Sequence, residues 1–441
     1  MSAIPSKNPA WEPPDELSRD ALVIKSDAML GRPDLEIDET ETIERIEALG
    51  LEWDVGAMVY APRDPANCAI GCDGRRIGMF VLHGGSGDYQ SMVRLCRLLA
   101  GKLGCTVVSM TYPGRLYLND PSRNWPGDTI GADGQVRTPI WLRGEEITPD
   151  QYELIKDTSL RGRYGTRLLA RARPGTIFYD RMASWPAAFE DAMKHFCREL
   201  LPGGRYSIYV HGHSTGGPFV HMLTQRVDNI VGVVGIENSP FANIYRAMIG
   251  YEWPGPFNDL AIRTWRDLAR YKGAEVRSLE GEEGLMRLPW VMEEVFEAWD
   301  EVKDRPQFKA EYPMHYASKP GLTAAAQASA TRLGLDDAGT DALVARYLGF
   351  CHELTGRDVK PVPPILLSIC KHSRDHTAEA YAKSVVPMFA KIHPAPKVRV
   401  VKLGTGTHYY ETAEEGLPMG LVAPVAELWF EAIMEGYYDG V

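Results

Sequence analysis

The chain has 441 residues, 44% of them hydrophobic and 24% charged, which is ordinary globular composition with enough length to bury a large core. A formal net charge of -11, with no long cluster of Lys and Arg, argues against nucleic acid or an anionic membrane surface as a partner. Residues 1–20 are polar and proline-rich, no apolar run is long enough to span a bilayer, and the seven cysteines are an odd number, so reduced thiols and a cytoplasmic setting are expected.

In chain order, Ala57–Ala61 predicts an early strand and Ile77–Leu82 a buried one. Met92, Leu95, Leu98 and Leu99 recur at helical spacing, and Thr106–Met110 is the next strand. Trp185–Leu201 reads as a helix stopped by Pro202-Gly203-Gly204. Tyr206–Val210 is a short β-prone run, followed after a glycine-rich turn by a helix start at Gly217–Leu223. Ile230–Ile236 is a continuous apolar strand, Ile365–Ile369 follows Pro364, and Val398–Leu403 is the last strand. Leu421–Tyr437 closes the chain as an amphipathic helix. Strands alternating with helices predict an α/β fold with a mostly parallel sheet flanked by helices.

Two stretches interrupt this rhythm. Residues 113–179 separate a strand from its helix and are rich in Arg, Gly, Pro and Trp, which marks an insertion. Residues 238–363 separate two strands and contain their own helical patterns, at Leu288–Val302 and Thr323–Leu333, so an inserted helical cap is expected. The core is then assembled from residues 1–237 and 364–441.

Three features carry chemistry. The first is Gly212-His213-Ser214-Thr215-Gly216, between the run Tyr206–Val210 and the helix start. A G-x-S-x-G sequence on a strand-to-helix turn holds a serine out at the top of a sheet beside a helix N-terminus, where negative charge is favoured. The second is His83-Gly84-Gly85-Ser86-Gly87, at the end of the strand Ile77–Leu82; its glycines let backbone N–H groups approach a ligand closely. The third is His408, alone among the eleven histidines in lying just beyond the last strand. A serine hydroxyl is a weak nucleophile at neutral pH and needs an adjacent base, a part that His408 fits. Cys68 and Cys72 lie four apart, but no second pair completes a zinc pattern, and neither a metal nor an organic cofactor is expected.

Together these features resemble an α/β-hydrolase-fold serine hydrolase, over roughly residues 55–240 and 360–441. The resemblance implies Ser214 as nucleophile and His408 as base. It implies an oxyanion hole made by backbone N–H groups of Thr215 and Gly85, with Ser86 the next candidate. The acid has two candidates. Asp375 follows the strand Ile365–Ile369, where most of the family carries it, although the loop Cys370-Lys371-His372-Ser373-Arg374-Asp375 lacks the usual glycine. Glu237 ends the strand Ile230–Ile236. The sequences His213-Ser214-Thr215-Gly216-Gly217-Pro218 and Val234-Gly235-Ile236-Glu237 are similar to a group of bacterial carboxylesterases whose acid is a glutamate after the sixth strand, and Glu237 is preferred. His211 and His213 are not expected to carry chemistry, His213 reading as a packing residue, and His83 reads as positioning its own loop.

The function implied is hydrolysis of an ester, lactone or related acyl bond of a bulky, moderately apolar small molecule through an acyl-enzyme. Acyl transfer or carbon–carbon bond hydrolysis by the same triad is the alternative within enzymes, and ligand binding without catalysis the alternative outside them. A small-molecule substrate is the expected partner, and self-association into a homo-oligomer is left open.

Overall fold

Strand β1 (Asp15–Leu17) leads into helix α1 (Arg19–Leu30), capped by the Ser18 side chain accepting from Ala21 N. β2 (Ile37–Ala48) and β3 (Leu51–Pro62) form a long antiparallel hairpin. β4 (Arg76–Leu82), α2 (Val93–Gly101) and β5 (Thr106–Met110) follow. A small antiparallel pair, β6 (Tyr152–Lys156) and β7 (Leu168–Ala172), precedes α3 (Ile177–Leu200). Then come β8 (Tyr206–Gly212), α4 (Gly216–Leu223) and β9 (Ile230–Ile236). α5 (Asp337–Tyr347), β10 (Ile365–Cys370), β11 (Val398–Leu403) and α6 (Val422–Met434) complete the described elements. This computed structural model describes residues 15–48, 50–84, 88–114, 141–156, 168–173, 176–214, 216–224, 226–236, 327, 330–331, 333–347, 361–373 and 396–439.

Nine strands form one sheet in the order β1-β11-β10-β9-β8-β4-β5-β3-β2. Only the pairs β2–β3 and β3–β5 are antiparallel; every other pair is parallel. The chain thus lays down β3, steps over one place to β4, returns to β5, and then crosses to β8 and runs outward. This is the α/β-hydrolase arrangement. Every residue of β5, β8 and β10 is buried, as is β4 beyond Arg76. That is why these strands read as unbroken apolar runs rather than alternating ones.

The helices cover both faces. α1, α2 and α6 pack together on one face, burying Leu22, Met29, Leu95, Leu99, Val425 and Trp429 in a continuous core. α3 and α4 pack on the other. Among the largest fully buried side chains are Trp53, Trp141 and Trp429. Each removes on the order of 200 Å² from water, or about 5 kcal/mol of transfer free energy as an upper estimate. A buried ion pair ties the end of α4 to α3: Arg226 Nε lies 3.1 Å from Glu190 Oε1, and Lys194 Nζ is 3.5 Å from the same oxygen.

The described chain after β5 is fastened to the far side of the sheet. Arg181, on α3, is buried; it donates from Nε to Glu145 Oε2 at 2.9 Å and from Nη2 to Glu145 Oε1 at 2.8 Å. Its Nη1 donates to the Glu52 carbonyl, and its guanidinium stands 4.8 Å over the Trp53 ring. Trp53 meets Trp141 edge-on at 5.9 Å, and Trp141 lies 5.6 Å from Phe178.

Several boundaries differ from the sequence reading. The early strand extends over Leu51–Pro62 and has an antiparallel partner, β2, that was not anticipated. Glu39, Glu41, Glu44 and Glu47 disfavour a strand by propensity, but pairing along the whole length of β3 outweighs it. β1, α1 and the β6–β7 pair were also unread. β1 exists only by pairing with β11, at Asp15↔Val401 to Leu17↔Leu403. Helix α3 runs over Ile177–Leu200 and so begins eight residues ahead of Trp185, where the sequence places its start. Most of the expected cap, residues 238–363, lies outside the described residues; α5 falls within that span of the chain.

Candidate active site

Parallel strands bring their C-terminal ends to one edge of the sheet, and in open α/β sheets that edge, at the point where strand order reverses, is where ligands bind. Here it collects His83 after β4, Ser214 after β8, the end of β9, and His408 beyond β11.

Ser214 sits between β8 and α4 with φ 51, one of only two positive-φ residues other than glycine among the described residues. A left-handed backbone is strained for a residue with a Cβ, costing on the order of 1 kcal/mol, and persists only where the surroundings enforce it. They do so through contacts that exclude side chains. A Cβ on Gly212 would press on the Gly216 carbonyl and come 2.7 Å from Gly217 N, because the turn folds the helix start directly over the strand end. A Cβ on Gly216 would lie 2.8 Å from the His83 carbonyl and 3.1 Å from that of Leu82. These are the two glycines of the G-x-S-x-G pattern, and each is required by main chain rather than by a neighbour that can move. The turn is closed by Gly216 N–H donating to His213 O at 2.8 Å and Gly217 N–H to Ser214 O at 3.1 Å.

Beside this elbow, the end of β4 is fixed by His83. Its ring is fully buried and stacks on Tyr112 at 3.8 Å. Tyr112 N–H donates to Nε2 at 3.3 Å, so the ring proton is on Nδ1, which donates to Gly84 O at 2.6 Å. The Tyr112 hydroxyl donates to the His83 carbonyl. His83 therefore positions its own loop. Gly84 lies against the elbow: a Cβ there would be 2.9 Å from His213 Nδ1 and 3.5 Å from Ser214 Cβ.

His408 is carried on the turn after β11 and is 9% exposed. Tyr410 N–H donates to Thr407 O at 3.0 Å, Thr407 N–H donates to Glu411 O at 3.0 Å, and Leu421 N–H reaches back to Tyr410 O at 2.9 Å. The loop after β10 runs alongside, with His372 N–H donating to Gly406 O at 3.0 Å. His408 meets the elbow through His213. His213 Nε2 is 2.8 Å from the His408 carbonyl oxygen, and the two rings stand 4.7 Å apart at 34°. Residues separated by 195 positions in the chain are thus joined beside Ser214.

The remaining sequence-derived candidates, Thr215, Gly85, Ser86, Glu237 and Asp375, lie outside the described residues. Their flanking chain is described. β9 ends at Ile236, paired with Ser368 of β10, and the loop after β10 is followed to Ser373 beside the His408 turn.

His211 and His213, neither expected to carry chemistry, both make directional bonds in the structure. His211 Nδ1 is 3.3 Å from Val234 O on β9, and the Tyr410 hydroxyl is 3.2 Å from its Nε2. Burial lowers both imidazoles from the usual 6.5 to about 3; for His213 the neighbouring His408 adds to this and the bond to its carbonyl opposes it. Both rings are neutral at physiological pH. The signal available in sequence was the His-x-His spacing across the strand end, with His211 in β8 and His213 the first residue after it. Beside them Tyr409 is exposed (65%), its ring 5.3 Å from that of His408.

Among the described residues, no group of three or more His, Cys, Asp or Glu is arranged to hold a metal ion, and no helix is long and apolar enough to cross a membrane.

No protein-family model matches the chain, and no curated protein matches it in sequence. Among solved structures it is similar to a vibralactone cyclase, at 12% identity over 95% of this chain and 85% of that one, with a TM-score of 0.35. It is similar to the S-formylglutathione hydrolase of Staphylococcus aureus, at 11% identity over 90% and 99%, TM-score 0.37. It is also similar to carboxyl esterase 2 of Tuber melanosporum, at 11% identity over 95% and 100%, TM-score 0.37.

Proposed function

We propose that the protein is a serine hydrolase that cleaves an ester, lactone or related acyl bond through an acyl-enzyme. The single observation that carries this reading is the left-handed Ser214 between two glycines that main-chain packing requires, with the His408 carbonyl bonded to the adjacent residue. A strained serine at a strand–helix turn is a costly feature for packing alone, and a reactive hydroxyl gives it a purpose.

In this mechanism His408 takes the proton from Ser214 Oγ as the oxygen attacks the acyl carbon. The carbonyl π electrons move to oxygen, which backbone N–H groups of Gly85 and Thr215 stabilise, with Ser86 as the alternative donor. Each such donor contributes about 2.7–4 kcal/mol in comparable sites. Collapse expels the alcohol, which leaves with the proton held by His408. Water then repeats the sequence on the acyl-enzyme and regenerates the serine. Glu237 orients and electrostatically supports the imidazolium; Asp375 is the alternative acid. The exposed Tyr409 ring beside His408 favours a substrate with an apolar, bulky acyl or alcohol part.

A fluorophosphonate probe tests the reading. The intact chain should be labelled at Ser214, and Ser214→Ala should lose both labelling and ester turnover while keeping its fold. An unlabelled wild-type protein, or labelling that survives the substitution, would refute it. Turnover in isotopically labelled water should place solvent oxygen in the acid product; absence of that oxygen would move the chemistry to acyl transfer.

A further inference from the structure

The elbow strand contributes more than a nucleophile to this site. His213 Nε2 lies 2.8 Å from the main-chain oxygen of His408. A carbonyl oxygen only accepts, so Nε2 carries the proton and Nδ1 is a bare lone pair facing Gly84. Two residues earlier, His211 is fully buried between β9 and the histidine turn. Its Nδ1 faces the Val234 carbonyl at 3.3 Å, so that nitrogen is the donor and Nε2 accepts from the Tyr410 hydroxyl at 3.2 Å. The His211 ring leans on Trp429 of α6 at 4.9 Å. Tyr410, buried itself, has φ 64, the second left-handed residue besides glycine among the described residues. The turn that bears His408 is therefore bent into a strained shape and tied at two points, to His211 near the end of β8 and to His213 just beyond it.

We infer that His213 and the His211–Tyr410 pair form a clamp that sets the position of the His408 imidazole relative to Ser214, so that all three are positioning residues for catalysis. This rests on the reading of His408 as the base. The physical reason is leverage. The turn has no regular secondary structure of its own to hold it, and a displacement of about 1 Å of a reacting group can cost on the order of 100-fold in rate. Every residue of β8 is buried, so anchoring the base to the strand that presents the nucleophile ties both to one packed element. The same clamp reaches β9 through Val234, three positions before Glu237, and so links the strands carrying nucleophile and preferred acid with the base.

The test uses the full chain with three substitutions, His213→Leu, His213→Gln and Tyr410→Phe. Ester turnover and the rate of fluorophosphonate labelling are read beside circular dichroism and the urea midpoint. His213→Leu should lower kcat by about 10–100-fold with KM nearly unchanged, because substrate contacts are not touched. His213→Gln, whose side-chain amide N–H can reach the same carbonyl, should recover most of the loss; a merely structural role would not be rescued by the donor. Tyr410→Phe, which removes one oxygen and leaves the ring, should lower kcat about tenfold. If His213→Leu does not fold, His213→Gln and Tyr410→Phe decide the matter: a labelling-competent Tyr410→Phe with wild-type kcat overturns the clamp. Folded His213→Leu with wild-type kcat overturns it equally. Those outcomes leave the hydrolase reading standing, whereas a wild-type chain inert to both probe and ester removes that reading and the clamp's role with it.

Discussion

Buried neutral imidazoles make acid the most telling perturbation of this fold, and three of them carry the reckoning. His211, His213 and His221 are 0%, 5% and 1% exposed, and burial lowers each from the usual 6.5 to about 3. In the unfolded chain each titrates near 6.5. Between those values the unfolded state binds protons that the folded state refuses, so stability rises with pH. Its full value is present above the unfolded pKa and is lost progressively as pH falls below it, until the folded pKa is reached. Down to about pH 5 the loss depends only on the unfolded-chain ionisation, because the folded values lie well below. From about pH 7 to about pH 5 one such histidine costs about 2 kcal/mol, and three cost about 6 kcal/mol. That rivals the 5–15 kcal/mol typical of a whole folded domain. The assay is urea unfolding followed by tryptophan fluorescence at steps across this interval. The midpoint should fall steeply, and His221→Leu, which removes one titrating ring on α4, should remove about a third of the pH dependence. A midpoint that stays flat from about pH 7 to about pH 5 would sink the reasoning, as would a His221→Leu variant that retains all of it.

The elbow makes a second, graded prediction. Gly216→Ala presses a methyl on the His83 and Leu82 carbonyls and should cost about 1–3 kcal/mol, read as a lower urea midpoint together with slower probe labelling. Gly212→Ala, which drives a methyl into the main chain of Gly216 and Gly217, should be the worse of the two; the opposite order would refute the packing explanation of the motif. Arg181→Leu strands the Glu145 carboxylate and should cost about 2–4 kcal/mol, and Arg181→Lys should rescue little, since an ammonium cannot make the paired bonds of the guanidinium. Glu237→Gln should lower kcat more than Asp375→Asn, and the reverse ranking, with both variants folded, would transfer the acid to the later loop.

The central strands were legible because they are buried on both faces. Ile77–Leu82, Thr106–Met110 and Ile230–Ile236 are mainly apolar runs of strand length between turn residues, and the sheet contains all three; Val398–Leu403, whose Arg399 and Lys402 are only half-buried, was legible from its valines and its length. The elements that escaped are those whose existence depends on a partner. β2, with four glutamates, is a strand because β3 lies beside it, and the three residues of β1 are a strand because β11 does. Helix α3 starts earlier than Trp185, at Ile177.

At the site, local chemistry and long-range geometry divide cleanly. The glycines, the serine and the strand–turn–helix around them are neighbours in the chain, so their steric requirement is written in five consecutive letters. His408 could be picked out only by its place after the last strand. The clamp was invisible, since nothing local tells a buried histidine that fills space from one whose ring nitrogen meets a carbonyl 195 positions away. The sequence by itself determined the sharp turn and the layered α/β order, because both follow from backbone sterics and hydrophobic period. Only the folded sheet decided which side chains meet across its carboxyl edge, because that depends on strand order, and strand order is a property of the whole chain.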